Sequence, residues 1–144
     1  MRYLWLLSLL FLAAPHALAR SVEVCPELPP GSGLEWKYSE GPDFDVCRAS
    51  APGSEALAFG IYLGSHPSFH PERSNRISKG NVAGRRVTWY RQEAADSDSD
   101  FSRQTLLTLD RKWGHVAHIW IAADTEQKLL DLQSVLERIV FKSP

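Results

Sequence analysis

The chain has 144 residues, of which 16 are Lys or Arg and 17 are Asp or Glu, so its formal net charge is −1. Such a weak charge argues against nucleic acid or an anionic membrane surface as the main partner. The length and a hydrophobic content of 44% suit one domain with one core.

Residues 1–19 have the order of a secretory signal peptide. A basic residue follows the initial Met, an apolar run covers 3–14, and an A-x-A cleavage site ends at Ala19. The run is shorter than the roughly 20 residues that a membrane span requires. Arg20, rather than a lipid-bearing Cys, follows the predicted cut. We therefore expect an exported protein, periplasmic or secreted, without membrane insertion after signal removal. The alternative is a buried N-terminal helix.

The chain contains two cysteines, Cys25 and Cys47. In an exported protein an even number of cysteines predicts a disulfide, which would stabilise this fold by roughly 3 kcal/mol through loop closure. Free thiols or a pair of metal ligands is the alternative. No C-x-x-C motif is present, which argues against redox catalysis.

The mature chain is predicted to form an irregular N-terminal arm, 20–33, and a single domain, 34–144. The arm is rich in Pro and Gly and would be tied down by the disulfide. Alternating or continuous apolar patterns favour strands in the domain. The run 56–64 also fits a short buried helix, but Gly60 and its β-branched and aromatic residues favour a strand. The alternation places Phe44, Val46 and Arg48 on one face of their strand. In the same way it groups Thr105, Leu107 and Leu109 in one strand, and Ala117, Ile119 and Ile121 in the next. The predicted strands cover 34–39, 44–48, 56–64, 80–93, 101–110 and 115–123.

The segment 124–141 has the period of an amphipathic helix. Asp124 predicts the N-cap, and Gln127 three residues later predicts a capping box. The apolar stripe must cover a sheet face, for which the inward face of the strand 115–123 is the candidate. The sequence therefore predicts an α+β fold, a mostly antiparallel β-meander with a C-terminal helix packed on one face. The stripe consists of Leu129, Leu130, Leu132, Val135, Leu136, Ile139 and Val140.

The last sixty or so residues resemble the C-terminal half of small PsbP/Mog1-like domains. The resemblance is carried by a strand with Gly84, Val87 and Trp89, by two further strands, and by the segment IWIAADTEQKLLDLQSVLERIVF. It implies an α+β sandwich with a binding or accessory role. It carries over no site residues, and the disulfide-tied arm does not match its pattern.

The stretch GSHPSFHPER, residues 64–73, contains His66 and His70, which are of the usual metal-ligand type. A proline follows each histidine and disfavours a helix. In an extended chain the two lie roughly 13 Å apart at about 3.3 Å per residue. We expect a proline-stiffened loop that presents a contact surface, since a stiff loop loses little entropy on binding. A metal site is the alternative.

His115 and His118 lie at an odd offset in a predicted strand, so they point to opposite faces and cannot act together. A half-buried, hydrogen-bonded role is expected for His118.

An acidic stretch with Asp96, Asp98 and Asp100 begins like a calcium-binding loop. An EF-hand would need Gly and Glu where Phe101 and Leu107 stand, so a solvated hairpin loop is favoured. Weak calcium binding is the alternative.

Six basic side chains fall between residues 73 and 91, close to Trp89 and Tyr90. They predict either a solvated strand edge, where Lys and Arg deter aggregation, or a contact patch for an acidic partner. The basic residues are Arg73, Arg76, Lys79, Arg85, Arg86 and Arg91.

No nucleophile or metalloprotease motif such as G-x-S-x-G, S-x-x-K or H-E-x-x-H occurs, so the chain is predicted not to be an enzyme and to need no cofactor. The predicted function is a small exported binding protein for another protein, such as an immunity, inhibitor or accessory protein. The alternatives are a small-ligand or metal carrier that uses His66, His70 or His118, and a hydrolase without a recognisable motif. The predicted contact residues are His66, His70, Arg73, Arg76, Arg86, Trp89, Tyr90 and Arg91.

Overall fold

The computed structural model describes residues 21–92 and 100–142. The predicted signal peptide, 1–19, lies outside the described residues, and so do Asp96 and Asp98 of the acidic stretch. The described part is an open antiparallel sheet of seven strands with one C-terminal α-helix, which confirms the α+β class.

The sheet consists of two meanders that pair through their last strands. Its order is β1-β2-β3-β7-β6-β5-β4, and every neighbouring pair is antiparallel. The predicted meander therefore holds within β1–β3 and within β4–β7, but a crossover at 65–75 joins the two halves. The strands are β1 (Glu35–Glu40), β2 (Asp45–Ser50), β3 (Phe59–Gly64), β4 (Arg76–Val82), β5 (Arg85–Arg91), β6 (Arg103–Asp110) and β7 (His115–Ile121).

The register of the strands divides their side chains between two faces. One face, here the core face, is buried beneath the helix. Pairings such as Ile61 with Ile119 and Ile119 with Thr105 align its residues across the central strands. The opposite face, here the open face, carries rows such as Tyr62, His118 and Leu106. Buried residues of the core face include Cys47, Ala49, Phe59, Ile61, Leu63, Val87, Trp89, Leu107, Ala117, Ile119 and Ile121.

The helix α1 (Glu126–Arg138) covers the core face with most of its predicted stripe. Two predicted members of that stripe, Leu130 and Val140, are instead 53% and 55% exposed. No helix within 21–92 and 100–142 is both long and apolar enough to cross a membrane. The side chains that α1 buries are Leu129, Leu132, Val135 and Leu136.

The helix begins one residue later than the sequence predicts. Thr125 is the N-cap, because its Oγ1 accepts a hydrogen bond from the Lys128 backbone N–H at 3.2 Å. The predicted N-cap at Asp124 and its capping box with Gln127 are therefore wrong. The Gln127 amide instead donates to the Asp131 carboxylate at 2.9 Å, one turn further along the helix.

Residue 93 of the predicted strand 80–93 lies outside the described residues. The rest of that segment is not one strand but part of a hairpin of β4 and β5. Its two-residue turn consists of Ala83 and Gly84, both with positive φ, as in a type I′ turn. The turn also binds the end of α1: the Ala83 N–H donates to the Leu136 carbonyl at 2.9 Å, and the Gly84 N–H donates to the Glu137 carbonyl at 3.2 Å. These bonds satisfy carbonyls that a helix end leaves unpaired.

The N-terminal arm is fastened to the opposite end of the sheet. A disulfide joins Cys25 to Cys47 of β2, as predicted. Two backbone hydrogen bonds pair Glu27 with Val140 after the helix, at 2.8 and 3.1 Å. The Trp36 indole donates to the Pro26 carbonyl at 2.8 Å. The arm thus closes the core between β1 and the chain that follows α1.

Candidate functional site

The crossover between the two meanders lies on the open face of the sheet. Residues 65–75, here called the strap, run from central β3 to edge strand β4. The Phe69 ring packs on Tyr90 of β5 and stacks on His118 of β7, with ring centroids 5.5 and 5.1 Å apart. The strap therefore divides the open face into an aromatic groove over β2, β3 and β7 and a basic surface on the β4–β5 hairpin.

Polar contacts hold the beginning of the strap. The His66 backbone N–H donates to the Tyr62 hydroxyl at 3.0 Å, and the Ser65 hydroxyl donates to the Trp113 carbonyl at 3.3 Å. The His66 ring lies 3.6 Å from the Asp43 carboxylate, and both side chains are largely exposed. His70 is exposed. The proline-containing stretch is thus held against the sheet by the aromatic packing of Phe69 rather than by its histidines.

The aromatic groove is a cavity of about 510 Å³ beside the strap. Phe44, Val46 and Arg48, which the sequence placed on one face of their strand, all line it. Phe44 packs on Tyr62 with ring centroids 5.3 Å apart. The remaining lining residues are Asp43, Tyr62, His66, Ser68, Gln92, His118 and Trp120.

Two glycines of β3 make room for the rings of the groove. Gly60 faces Trp120 across the β3–β7 pair, and a Cβ added to Gly60 would lie 2.1 Å from Trp120 Cζ2. A Cβ added to Gly64 would lie 2.4 Å from the Tyr62 hydroxyl oxygen. Glycine in a strand marks a place where another group approaches the backbone closely. The Trp120 indole therefore lies over the Gly60 backbone, which supports it from below.

His118 forms the junction between the groove and the strap. Burial lowers the pKa of His118 from 6.5 to about 4, so its ring is neutral near pH 7. The Gln104 amide donates to the Arg91 carbonyl at 3.3 Å, which turns its oxygen toward His118 Nε2, 3.1 Å away. His118 therefore donates from Nε2 and keeps an unprotonated Nδ1. The predicted half-buried, hydrogen-bonded role is what the structure shows for this histidine.

We predict that His118 makes the fold less stable in acid. Between pH 6.5 and about 4 the unfolded chain binds a proton at this histidine that the folded chain resists. The free energy of unfolding should therefore fall as the pH drops through this window, with no further loss from this group below it. Urea unfolding at neutral pH and near the lower end of the window measures the fall. The loss should be smaller in His118→Gln, and an equal loss in both proteins would contradict the assignment.

The basic surface consists of Arg76, Lys79 and Arg86 on the open face of the β4–β5 hairpin. The register places Arg76 opposite Tyr90 and Lys79 opposite Thr88. All three basic side chains are exposed. Lys79 and Arg86 also line a pocket of about 240 Å³, together with Val87, Thr88, Tyr90, Leu106 and Pro71 of the strap.

The charge of the chain is segregated toward this hairpin. Residues 73–92 contain six Lys or Arg and no Asp or Glu, whereas the rest of the chain contains ten and seventeen. Within the described part of the chain, no carboxylate lies within ion-pair distance of the basic surface. Arg91 lies directly opposite Arg103 of β6, and burial together with the charge of Arg91 lowers the pKa of Arg103, although Asp100 opposes the shift. The region therefore carries a net positive charge, which the carboxylates of the described residues neutralise only in small part.

The structure separates the predicted contact residues into different environments. Arg76 and Arg86 lie together on the basic surface, and Arg73 is exposed in the adjacent 3₁₀ turn of the strap. Trp89 is 1% exposed and lies on the core face, so a partner cannot contact it without unfolding the hairpin. Tyr90 is 9% exposed because Phe69 covers its ring. The aromatic residues missed by sequence reasoning are Phe44, Tyr62 and Trp120 of the groove.

Of the three histidines considered for a carrier, His66 and His118 line the groove. Across 21–92 and 100–142, no cluster of three or more His, Cys, Asp or Glu side chains is arranged to hold a metal ion.

Comparisons with known proteins return no match: no protein-family model, no curated protein and no solved structure is similar to this chain. The resemblance to small PsbP/Mog1-like domains stays a prediction.

Proposed function

We propose that this chain is an exported, non-enzymatic binding protein that holds an acidic segment of another protein on its basic surface. The observation that carries the proposal is the charge of the β4–β5 hairpin. Arg76, Lys79 and Arg86 lie along one face of the hairpin, exposed, with no carboxylate of the described chain in ion-pair contact. Segregated charge of one sign attracts a partner of the opposite sign and speeds its association.

The hairpin that carries the charges is held rigid from both sides. The Thr105 hydroxyl donates to the Thr88 carbonyl at 2.6 Å, and the hairpin turn is hydrogen-bonded to the end of α1. On the open face Phe69 presses the strap onto Tyr90. A rigid backbone fixes the positions of the basic side chains before a partner arrives, which lowers the entropy cost of association.

Edge strand β4 gives the partner a second means of contact. β4 pairs with β5 on one side, and no other described strand pairs with its outer edge. An extended acidic segment could add main-chain hydrogen bonds to this edge, as peptides do in β-augmentation. Lys and Arg at an edge discourage indiscriminate pairing but favour a strand of opposite charge.

The proposal is tested with an oligoglutamate peptide as the defined acidic probe. We expect the mature protein to bind oligoglutamate but not oligolysine, with an affinity that falls as salt is added, because charges at a surface are screened within about 8 Å at physiological ionic strength. The double substitution Lys79→Glu/Arg86→Glu should weaken binding about tenfold or more, since two attractive contacts become repulsive. Fluorescence anisotropy of a labelled peptide measures both effects.

Arg111→Glu/Lys112→Glu is the matched control, because it also replaces one Arg and one Lys by Glu, at exposed sites in the β6–β7 turn. It should leave the affinity close to that of the unaltered protein. Equal losses in Arg111→Glu/Lys112→Glu and in Lys79→Glu/Arg86→Glu would show that net charge, rather than the basic surface, determines binding. Binding unaffected by both changes would overturn the proposal.

A further inference from the structure

We infer that the aromatic groove is a second, separate binding site, and that it takes a neutral carbohydrate whose sugar ring stacks on Trp120. The groove is distinct from the basic surface because the strap lies between them. Its volume of about 510 Å³ lies within the range of roughly 300–1,000 Å³ found for small-ligand sites.

The floor of the groove is a flat ring held in place. Trp120 lies against Gly60 on one side, so no side chain of β3 stands between the indole and the strand backbone. The His118 ring supports its edge, with centroids 5.4 Å apart, and His118 is itself stacked on Phe69 of the strap. These contacts leave part of the Trp120 side chain exposed. The apolar C–H face of a pyranose ring is the kind of surface that stacks on such an indole.

The polar groups at the groove match hydroxyls better than they match an ion. Arg48 brings donors and a positive charge, and Asp43 brings acceptors and a negative charge. Gln92 supplies an amide that can both donate and accept. Because a hydroxyl also donates and accepts, the hydroxyls of one ligand can satisfy all three kinds of group. A ligand with a net charge would be attracted by one of the two charged residues and repelled by the other.

His118 fits the same ligand. Its ring is neutral near pH 7 and its Nε2 is used by Gln104, so it adds no charge to the groove. The Ser68 hydroxyl of the strap also lines the groove and offers a further neutral donor and acceptor. The groove thus combines flat rings with nearly balanced charge, which is the complement of a neutral polyol with an apolar face.

The experiment is an NMR titration of the mature protein with a panel of neutral mono- and oligosaccharides, with benzoate as an aromatic anion for comparison. The indole N–H signals of Trp120 and of Trp113, which is 70% exposed in the β6–β7 turn, are followed together. We expect at least one neutral sugar to shift the Trp120 signal saturably while the Trp113 signal stays in place. Trp120→Ala should weaken that binding about tenfold or more, since a stacked ring is lost.

Two further variants keep the inference open to test if Trp120→Ala does not fold. Arg48→Ala removes an exposed rim donor, and Gly60→Ala displaces the indole from the backbone; both should weaken sugar binding, whereas Trp113→Ala should not. All of these variants should bind oligoglutamate normally, so that failure at the groove is distinguishable from failure at the basic surface. A Trp120 signal that no sugar moves, a response to benzoate alone, or sugar binding that survives loss of Trp120 would overturn the inference.

Discussion

Replacing Trp89 by alanine is expected to destabilise the protein by about 3–5 kcal/mol, the usual cost of removing a large aromatic side chain from a core. The indole is 1% exposed and lies over Gly80 of the neighbouring strand, where an added Cβ would come within 2.4 Å of Trp89 Nε1. Gly80 has no side chain that could fill the cavity left by the lost indole, so the cavity can close only if β4 moves. Urea unfolding of the two proteins at neutral pH measures the difference.

Trp113→Ala is the control for this substitution, because it removes the same side chain from a position that is 70% exposed. It should change the free energy of unfolding by less than about 0.5 kcal/mol, as surface substitutions usually do. If Trp89→Ala kept its stability and lost only the binding of oligoglutamate, Trp89 would be a contact residue and its place in the core would be contradicted.

Breaking the disulfide is the change with the second largest expected effect. Cys25 and Cys47 are 22 residues apart in sequence, and loop closure of that length contributes roughly 3 kcal/mol to stability. Both residues are buried, and the bridge holds the arm against β2. Removing it with Cys25→Ala/Cys47→Ala should lower the free energy of unfolding by about that amount. Chemical denaturation of the double variant measures it.

The unaltered protein in a thiol reductant provides an independent check, since it loses the bridge without losing the side-chain atoms. It should unfold at a lower denaturant concentration than the oxidised protein. If the oxidised and reduced proteins unfolded together, the arm would be held by the Glu27–Val140 pairing and by its own packing alone.

The sequence predicts the parts of this fold in which one face is buried and the other is not. The strands β6 and β7 alternate clearly, so their inward residues Leu107, Ala117, Ile119 and Ile121 are buried as expected. The apolar stripe of α1 predicts the helix for the same reason. These elements are specified by burial, which leaves a periodic trace in the sequence.

The edge strand β4 left no such trace. Most of β4 is exposed on both faces at the edge of the sheet, so its sequence RISKGNV does not alternate. Its turn uses Ala83 followed by Gly84, although type I′ turns favour Asn or Asp in the first position. The one-residue error at the start of α1 has a similar cause, because Asp124 and Thr125 are both good N-caps.

The candidate site could be predicted only in part. The alternation in β2 correctly places Phe44, Val46 and Arg48 on one face. The path of the strap over the open face depends on the sheet order, which brings β3 next to β7 and leaves β4 at the far edge. That order is a long-range property and no local pattern encodes it. For this reason Trp89 appeared as a contact residue beside the basic side chains, although the register buries it.

The strap also relates the two proposed sites to each other. Phe69 contacts Tyr90 beneath the basic surface and His118 beside the groove. Replacing Phe69 would therefore disturb both sites, so variants that separate them must lie outside the strap. Arg48 and Trp120 serve for the groove, and Lys79 and Arg86 serve for the basic surface.

An NMR map of oligoglutamate binding to the oxidised protein, from residue 20 onward, tests the basic surface as a binding site most directly. We predict that the backbone signals that shift come from β4 and β5, centred on Lys79 and Arg86, and that added salt reverses the shifts. Signals from the aromatic groove around Trp120 and from the disulfide-tied arm should stay in place. Shifts centred on the arm or on α1, or shifts spread evenly over all basic residues, would show that the β4–β5 hairpin is not the binding site.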